Sequence, residues 1–264
     1  MMQKPRVSVH KFSSCDGCQL ALLNGGQALF QLAELVDFVH FAEAGFIDPE
    51  AKNIDIAFIE GSVSTPDEER RIKVIREHAR FLITIGACAT AGGVQALRNA
   101  AKHAEWLRRI YPSPEFVASL KTSSAIANHV KVDLEIWGCP VNTQQVLDAI
   151  RSLLSGAYPK ISRDSVCLEC KRQGNVCVVV TKKQPCMGPV TRTGCGAICP
   201  SVGRGCYACY GPSENPNTMA LGQHFAAQGM STARIAQQFL HINNQAPIFQ
   251  QAGMAFKGIP IVKQ

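Results

Sequence analysis

The chain has 264 residues, 46% of them hydrophobic, which is ample for one substantial packed domain and a smaller second one. Residues 1–12 carry no apolar signal core or small-residue cleavage site, and no apolar run reaches the roughly 18 residues of a membrane span, so a cytoplasmic protein without a transmembrane helix is expected. The formal charge of +7 invites a nucleic-acid reading through counterion release, but Lys and Arg are scattered along the chain rather than gathered in long basic runs, and no nucleic-acid partner is expected.

In chain order, short β-branched and aromatic runs at residues 6–12, 37–41, 54–59, 81–85 and 132–137 read as strands, with helical stretches between them. The helix before the fourth run is well signalled: Thr65 is its N-cap, Pro66 its first residue and Glu68 the third residue after the cap. Its basic last turn, ending near Arg80, complements the macrodipole. This alternation predicts an α/β fold over residues 1–160, a flavodoxin-like doubly wound parallel sheet. From Cys167 to Cys209 the composition shifts to eight cysteines with Pro185, Pro189, Pro200 and many glycines, and the one continuous apolar run is 176–180. Residues 161–264 therefore read as a cysteine-rich segment of little regular structure that needs an inorganic group to hold it together. Its tail offers one amphipathic helix, at 231–241, and no clear period over 246–264, which is expected to lie against another surface.

A cytoplasmic protein keeps its thiols reduced, so twelve cysteines point to metal or redox chemistry rather than disulfides. Cys15 and Cys18 follow the first strand, Cys88 the fourth and Cys139 the fifth. The carboxyl ends of parallel strands converge on one crevice, so these four thiols are expected to meet there. Gly17 permits close approach of the Cys15–Cys18 turn, and Gly86, Gly92, Gly93 and Gly138 keep the other lining loops small. Ordinary core cysteines account poorly for thiols at three separate strand ends. The other eight, Cys167, Cys170, Cys177, Cys186, Cys195, Cys199, Cys206 and Cys209, divide four and four by order, although the loop path leaves open which set Cys177 and Cys186 close. Zinc is the rival for this segment, since paired C-x-x-C units also hold a tetrahedral ion. Three cubanes satisfy all twelve cysteines, and at about −2 each when oxidised they would offset most of the positive charge.

Cys15-Asp16-Gly17-Cys18, Phe58-Ile59-Glu60-Gly61, Gly86-Ala87-Cys88, Trp137-Gly138-Cys139-Pro140 and the eight-cysteine segment together resemble the small subunit of nickel-iron hydrogenases. Pro185-Cys186-Met187-Gly188-Pro189-Val190 and Gly194-Cys195-Gly196-Ala197-Ile198-Cys199-Pro200 look most like the cytoplasmic, NAD(P)-linked type that includes the sulfhydrogenases. The resemblance implies a proximal 4Fe-4S cluster on Cys15, Cys18, Cys88 and Cys139, a medial one on Cys195, Cys199, Cys206 and Cys209, and a distal one on Cys167, Cys170, Cys177 and Cys186. Respiratory members place a histidine where Cys167 stands and lack a thiolate at the position of Cys199, so all-cysteine 4Fe-4S sites of lower potential are implied here. It further implies that the nickel-iron site lies on a large-subunit partner, and that electrons pass between it and a flavin-containing NAD(P) diaphorase partner. No G-x-G-x-x-G or P-loop occurs in this chain.

Glu60, at the end of the third strand, reads either as a proton-relaying or potential-tuning group or as a carboxylate accepting loop N–H bonds. Trp137 is expected in the core rather than as a cluster shield, and the seven histidines have no metal-ligand spacing. Two other readings compete: the quinone-side subunit of a complex-I-like machine, whose cluster uses adjacent cysteines and which lacks the eight-cysteine segment, and a zinc-stabilised nucleic-acid module.

Overall fold

All five expected runs become strands: β1 (Arg6–Lys11), β2 (Asp37–Phe41), β3 (Ile54–Glu60), β4 (Ala79–Ile85) and β5 (Leu134–Ile136). They pair in parallel in the order β2-β1-β3-β4-β5, which is a doubly wound parallel sheet of the class expected from the sequence. Ile54, Ile56, Ala57, Phe58 and Ile59 are all buried, as befits a central strand covered on both faces by helices. The computed structural model describes residues 4–48 and 50–258. It divides into two compact units, Met1–Lys160 and Ile161–Gln264.

Among the described residues of the first unit the α-helices are α1 (Gly17–Leu23), α2 (Gln27–Leu35), α3 (Pro66–His78), α4 (Gly86–Ala91), α5 (His103–Ile110) and α6 (Thr143–Leu154). The capping box of α3 is complete, with Glu68 N–H donating to Thr65 Oγ1 (3.2 Å) and Thr65 N–H to Glu68 Oε2 (3.0 Å). The helix buries Ile72 and Ile75 and ends at His78 rather than Arg80, because β4 starts at once with Ala79. Asn142 caps α6 by accepting from the amides of Gln144 and Gln145, and Val146, Leu147, Ala149 and Ile150 form its buried face. The strand order reverses at β1, which lies between β2 and β3, so the crevice of this sheet opens at the carboxyl ends of β1 and β3.

The second unit holds more regular structure than its composition suggests. Short helices α7 (Val166–Arg172), α8 (Val178–Lys182) and α9 (Ile198–Ser201) punctuate the cysteine-rich segment. The apolar run at 176–180 enters α8, with only Val178 of that helix buried. The tail forms α10 (Thr218–Ala227), α11 (Thr232–Phe239) and α12 (Pro247–Phe256). Only α11 matches an expected helix. The stretch read as lacking a period contains α12, with Pro247 in its first turn and Phe249, Ala252 and Gly253 buried; residues 259–264 of that stretch lie outside the described residues. Its packing surface is the neighbouring helix: the Phe239 ring meets those of Phe249 and Phe256 at 5.9 and 6.2 Å between centroids.

Candidate iron-sulfur sites

Cys15 leaves β1, Cys18 lies in α1, Cys88 in α4 directly after β4, and Cys139 follows β5. The four therefore stand at the carboxyl end of the sheet. Gly86 (φ +83°) and Gly93 (φ +59°) adopt left-handed backbone that favours glycine, and both press on this group. A Cβ on Gly86 would collide with Cys18 Sγ, and one on Gly93 would lie 2.5 Å from Cys88 Sγ. Burial raises the Cys88 thiol to about 11, helped by the negative charges that Cys139 and Cys15 would carry. Burial also pushes up Cys18, with contributions from Glu60, Cys88 and Cys139, and Cys139, with a contribution from Cys15. These thiols are thus near enough to oppose one another's ionisation. A group that holds all four as thiolates must bring the compensating positive charge, which iron does.

Glu60 ends β3 with its carboxylate turned onto the Cys15–Cys18 turn. Its Oε1 accepts from Cys18 N–H (2.9 Å), and its Oε2 from Gln19 N–H (3.3 Å) and the Gln19 side-chain amide (2.9 Å). Burial raises its pKa while these three donors hold it down. The carboxylate orients the turn that presents Cys18. Trp137 is buried and donates from Nε1 to Glu135 (3.1 Å).

In the second unit, Cys167 and Cys170 each feel Cys186 and Cys177 after burial as the causes that raise their pKa. A Cβ on Gly188 would lie 3.3 Å from Cys186 Sγ and 3.6 Å from Cys167 Sγ, so these two sulfurs flank one point. The amides of Cys206 and Gly188 donate to Cys186 Sγ at 3.2 and 3.4 Å. Cys195 has Cys199 as its thiol neighbour, and Cys206 has Cys209 and also Cys186. Cys186 thus neighbours Cys167, Cys170 and Cys206, Cys177 neighbours Cys167 and Cys170, Cys195 neighbours Cys199, and Cys206 neighbours Cys209. No three His, Cys, Asp or Glu side chains among the described residues converge on a single metal ion; a cubane instead gives each thiolate its own iron. Gathered thiols, glycine-lined walls and amides aimed at sulfur suit an iron-sulfur cluster.

Two supporting residues escaped the sequence reading. Glu169, between Cys167 and Cys170, accepts from the amides of Gly194 (2.8 Å) and Ala197 (3.2 Å), so it grips the loop around Cys195 as Glu60 grips the loop around Cys18. An acid inside a C-x-x-C unit was the available signal. Asn243, buried after α11, donates to the carbonyl of Ala208 (2.6 Å) inside the Cys206–Cys209 turn. Nothing local in the sequence marks that long-range bond.

The family described as NADH ubiquinone oxidoreductase, 20 Kd subunit, matches residues 15–153, more than half of the chain. The chain belongs to this family. It is 35% identical over 216 residues to sulfhydrogenase 2 subunit delta of Pyrococcus furiosus, spanning 82% of this chain and 90% of that one. It is 30% identical to a subunit of the F420-non-reducing hydrogenase vhu of Methanocaldococcus jannaschii, spanning 84% of this chain and 86% of that one. Among solved structures, a chain of an NAD+-reducing [NiFe]-hydrogenase superposes with a TM-score of 0.55 at 27% identity, covering 60% of this chain and 95% of that one. Within the family, this chain is a hydrogenase small subunit, and the rival quinone-side reading gives way to it.

Proposed function

We propose that this hydrogenase small subunit is the electron-transfer chain of a cytoplasmic nickel-iron enzyme, passing electrons through three 4Fe-4S clusters between a large subunit and a flavin-containing NAD(P) diaphorase. The observation that carries the reading is the placement of Cys15, Cys18, Cys88 and Cys139 at the carboxyl ends of three strands, with Cys18 and Cys88 packed so closely on Gly86 and Gly93 that a Cβ at either glycine would collide with a thiol. Those four residues hold the proximal cluster. Cys167, Cys170, Cys177 and Cys186 hold the distal one, supported by their mutual proximity, and Cys195, Cys199, Cys206 and Cys209 hold the medial one. When bound, the clusters supply one-electron transfer. The protein's own contribution is to fix their positions and tune them: Glu60 and Glu169 orient the ligand loops, and amide donors to Cys186 Sγ stabilise the more negative, reduced state. Thiolates at Cys167 and Cys199 act in the opposite sense and favour the oxidised state, which suits exchange with a low-potential nicotinamide. The NAD+-reducing enzyme among the structural relatives supports that acceptor.

The test is EPR on the anaerobically purified complex. Hydrogen should bring up the EPR signals of reduced 4Fe-4S clusters on this chain, and NAD(P)+ should abolish them. Absence of any reduced-cluster signal under hydrogen would rule the reading out.

A further inference from the structure

In the relay Cys186 and Cys206 serve different clusters, yet the backbone segments that carry them are bonded to each other. Met187 N–H donates to the Cys206 carbonyl (3.1 Å), and Cys206 N–H donates to Cys186 Sγ (3.2 Å). Gly188 N–H gives the same sulfur a second bond (3.4 Å), and Ala208 N–H donates to Cys206 Sγ (3.4 Å). Cys186, Met187, Gly188, Gly205 and Cys206 are all buried, so water does not compete for these bonds. The two ligand sets are also clasped through α7, which carries Cys167 and Cys170. Its Glu169 accepts from the amides of Gly194 and Ala197, and Gln173, which follows the helix, donates to the Gly196 carbonyl (2.9 Å).

Gly205 makes this approach possible. It does not adopt left-handed backbone, so space rather than conformation calls for glycine. A Cβ there would collide with the Pro185 carbonyl oxygen and stand 3.0 Å from the Pro185 carbonyl carbon and 3.3 Å from Cys186 Cα. All three are backbone atoms, which cannot swing aside as the end of a side chain can. Any other residue at 205 therefore moves the Cys206 amide away from Cys186 Sγ. An N–H aimed at a ligand sulfur favours the more negative, reduced state of its cluster. Here the donor nitrogen also belongs to a ligand of the other cluster, so one hydrogen bond and the atoms of a single residue join the two sulfurs. Electrons tunnel more readily along bonded contacts than across gaps.

We propose that Gly205 is a positioning residue for electron transfer between the two later clusters. By admitting the Cys206 amide to Cys186 Sγ, it raises the potential of the cluster on Cys186 and supplies the bonded link to it. In this step one electron leaves the reduced cluster on Cys206, which is oxidised, and enters the oxidised cluster on Cys186, which is reduced; no proton moves and no bond forms or breaks. The proposal rests on the three-cluster reading above, with Cys186 and Cys206 in separate sets, and adds the atoms that connect them.

The complex is purified anaerobically from cells fed cysteine that carries heavy nitrogen, its clusters are reduced chemically, and pulsed EPR reads which of them couple to that nitrogen. A companion Cys167→His variant, which changes one ligand of the Cys186 set, identifies the signal belonging to that set. This signal should show a heavy-nitrogen coupling in the wild type and lose it in Gly205→Ala. In that variant its potential should shift downward in a redox titration, and its reduction by hydrogen should lag behind that of the Cys206 cluster. Val202→Ala, a change at an exposed residue nearby in the chain, should keep the wild-type coupling, potential and timing. Absence of the coupling from the wild-type signal would overturn the proposal. So would a Gly205→Ala variant that retains both coupling and potential, or a coupling confined to a signal that Cys167→His leaves unchanged. If Gly205→Ala holds no iron, the wild-type coupling decides alone. A failure of the relay reading shows separately, as clusters that are reduced chemically but never by hydrogen.

Discussion

A single carboxylate, Glu60, decides how the first C-x-x-C turn is held. Its three donors are buried or half-buried, and leaving such donors unpaired costs about 1–3 kcal/mol each. Glu60→Ala should therefore destabilise the first unit by about 3 kcal/mol or more and lower its iron content, whereas Glu60→Gln keeps one acceptor and most of the iron; denaturant titration with iron analysis checks both. Asn243→Ala removes the 2.6 Å bond to the Ala208 carbonyl and should cost about 2 kcal/mol, read as a lower urea midpoint. His10 supplies a pH dependence. Burial, then the nearby His40 and Arg71, lower its pKa to about 3, while the ring lies stacked on His40 at 4.6 Å. An unfolded histidine takes up a proton near pH 6.5, so the stability linked to His10 is complete above that pH and is lost as pH falls toward 3. At pH 5 the loss should reach about 2 kcal/mol. His10→Phe should flatten the difference between urea midpoints at pH 7 and pH 5; an equally steep variant would contradict the assignment.

The elements that local chemistry specifies were the legible ones. Thr65, Pro66 and Glu68 mark the start of α3 unaided, and Thr65→Ala should cost about 1 kcal/mol in thermal or chemical unfolding. The five strands could be read because parallel strands buried on both faces are continuous β-branched runs, and their ends moved only where a neighbour intervened, as His78 gives way directly to β4. The tail was less legible. Phe249, Ala252, Gly253 and Phe256 do share a helical face, but Gly253 exists to admit Leu240 and Gly222 to admit the Phe256 ring, and those reasons are tertiary. The short helices among the cysteines were hidden too, since none is long enough to impose a hydrophobic period.

Across the whole molecule, the first cysteine set was legible because topology alone sends the ends of β1, β4 and β5 to one place. The eight later cysteines stand out by density, but their grouping depends on loop paths that spacing does not encode, such as the approach of Gly188 to both Cys167 and Cys186. Glu169 and Asn243 were missed for the same reason, since each acts on a loop distant in sequence. The charge reading needed the largest revision. Cations that looked scattered belong, in net terms, to the second unit alone. The central claim, three four-iron clusters on one chain, is tested most directly by iron and acid-labile sulfide analysis of the anaerobically purified complex after subtracting the partners' content. The account predicts about twelve of each per chain. About four of each would leave only the first site and contradict it.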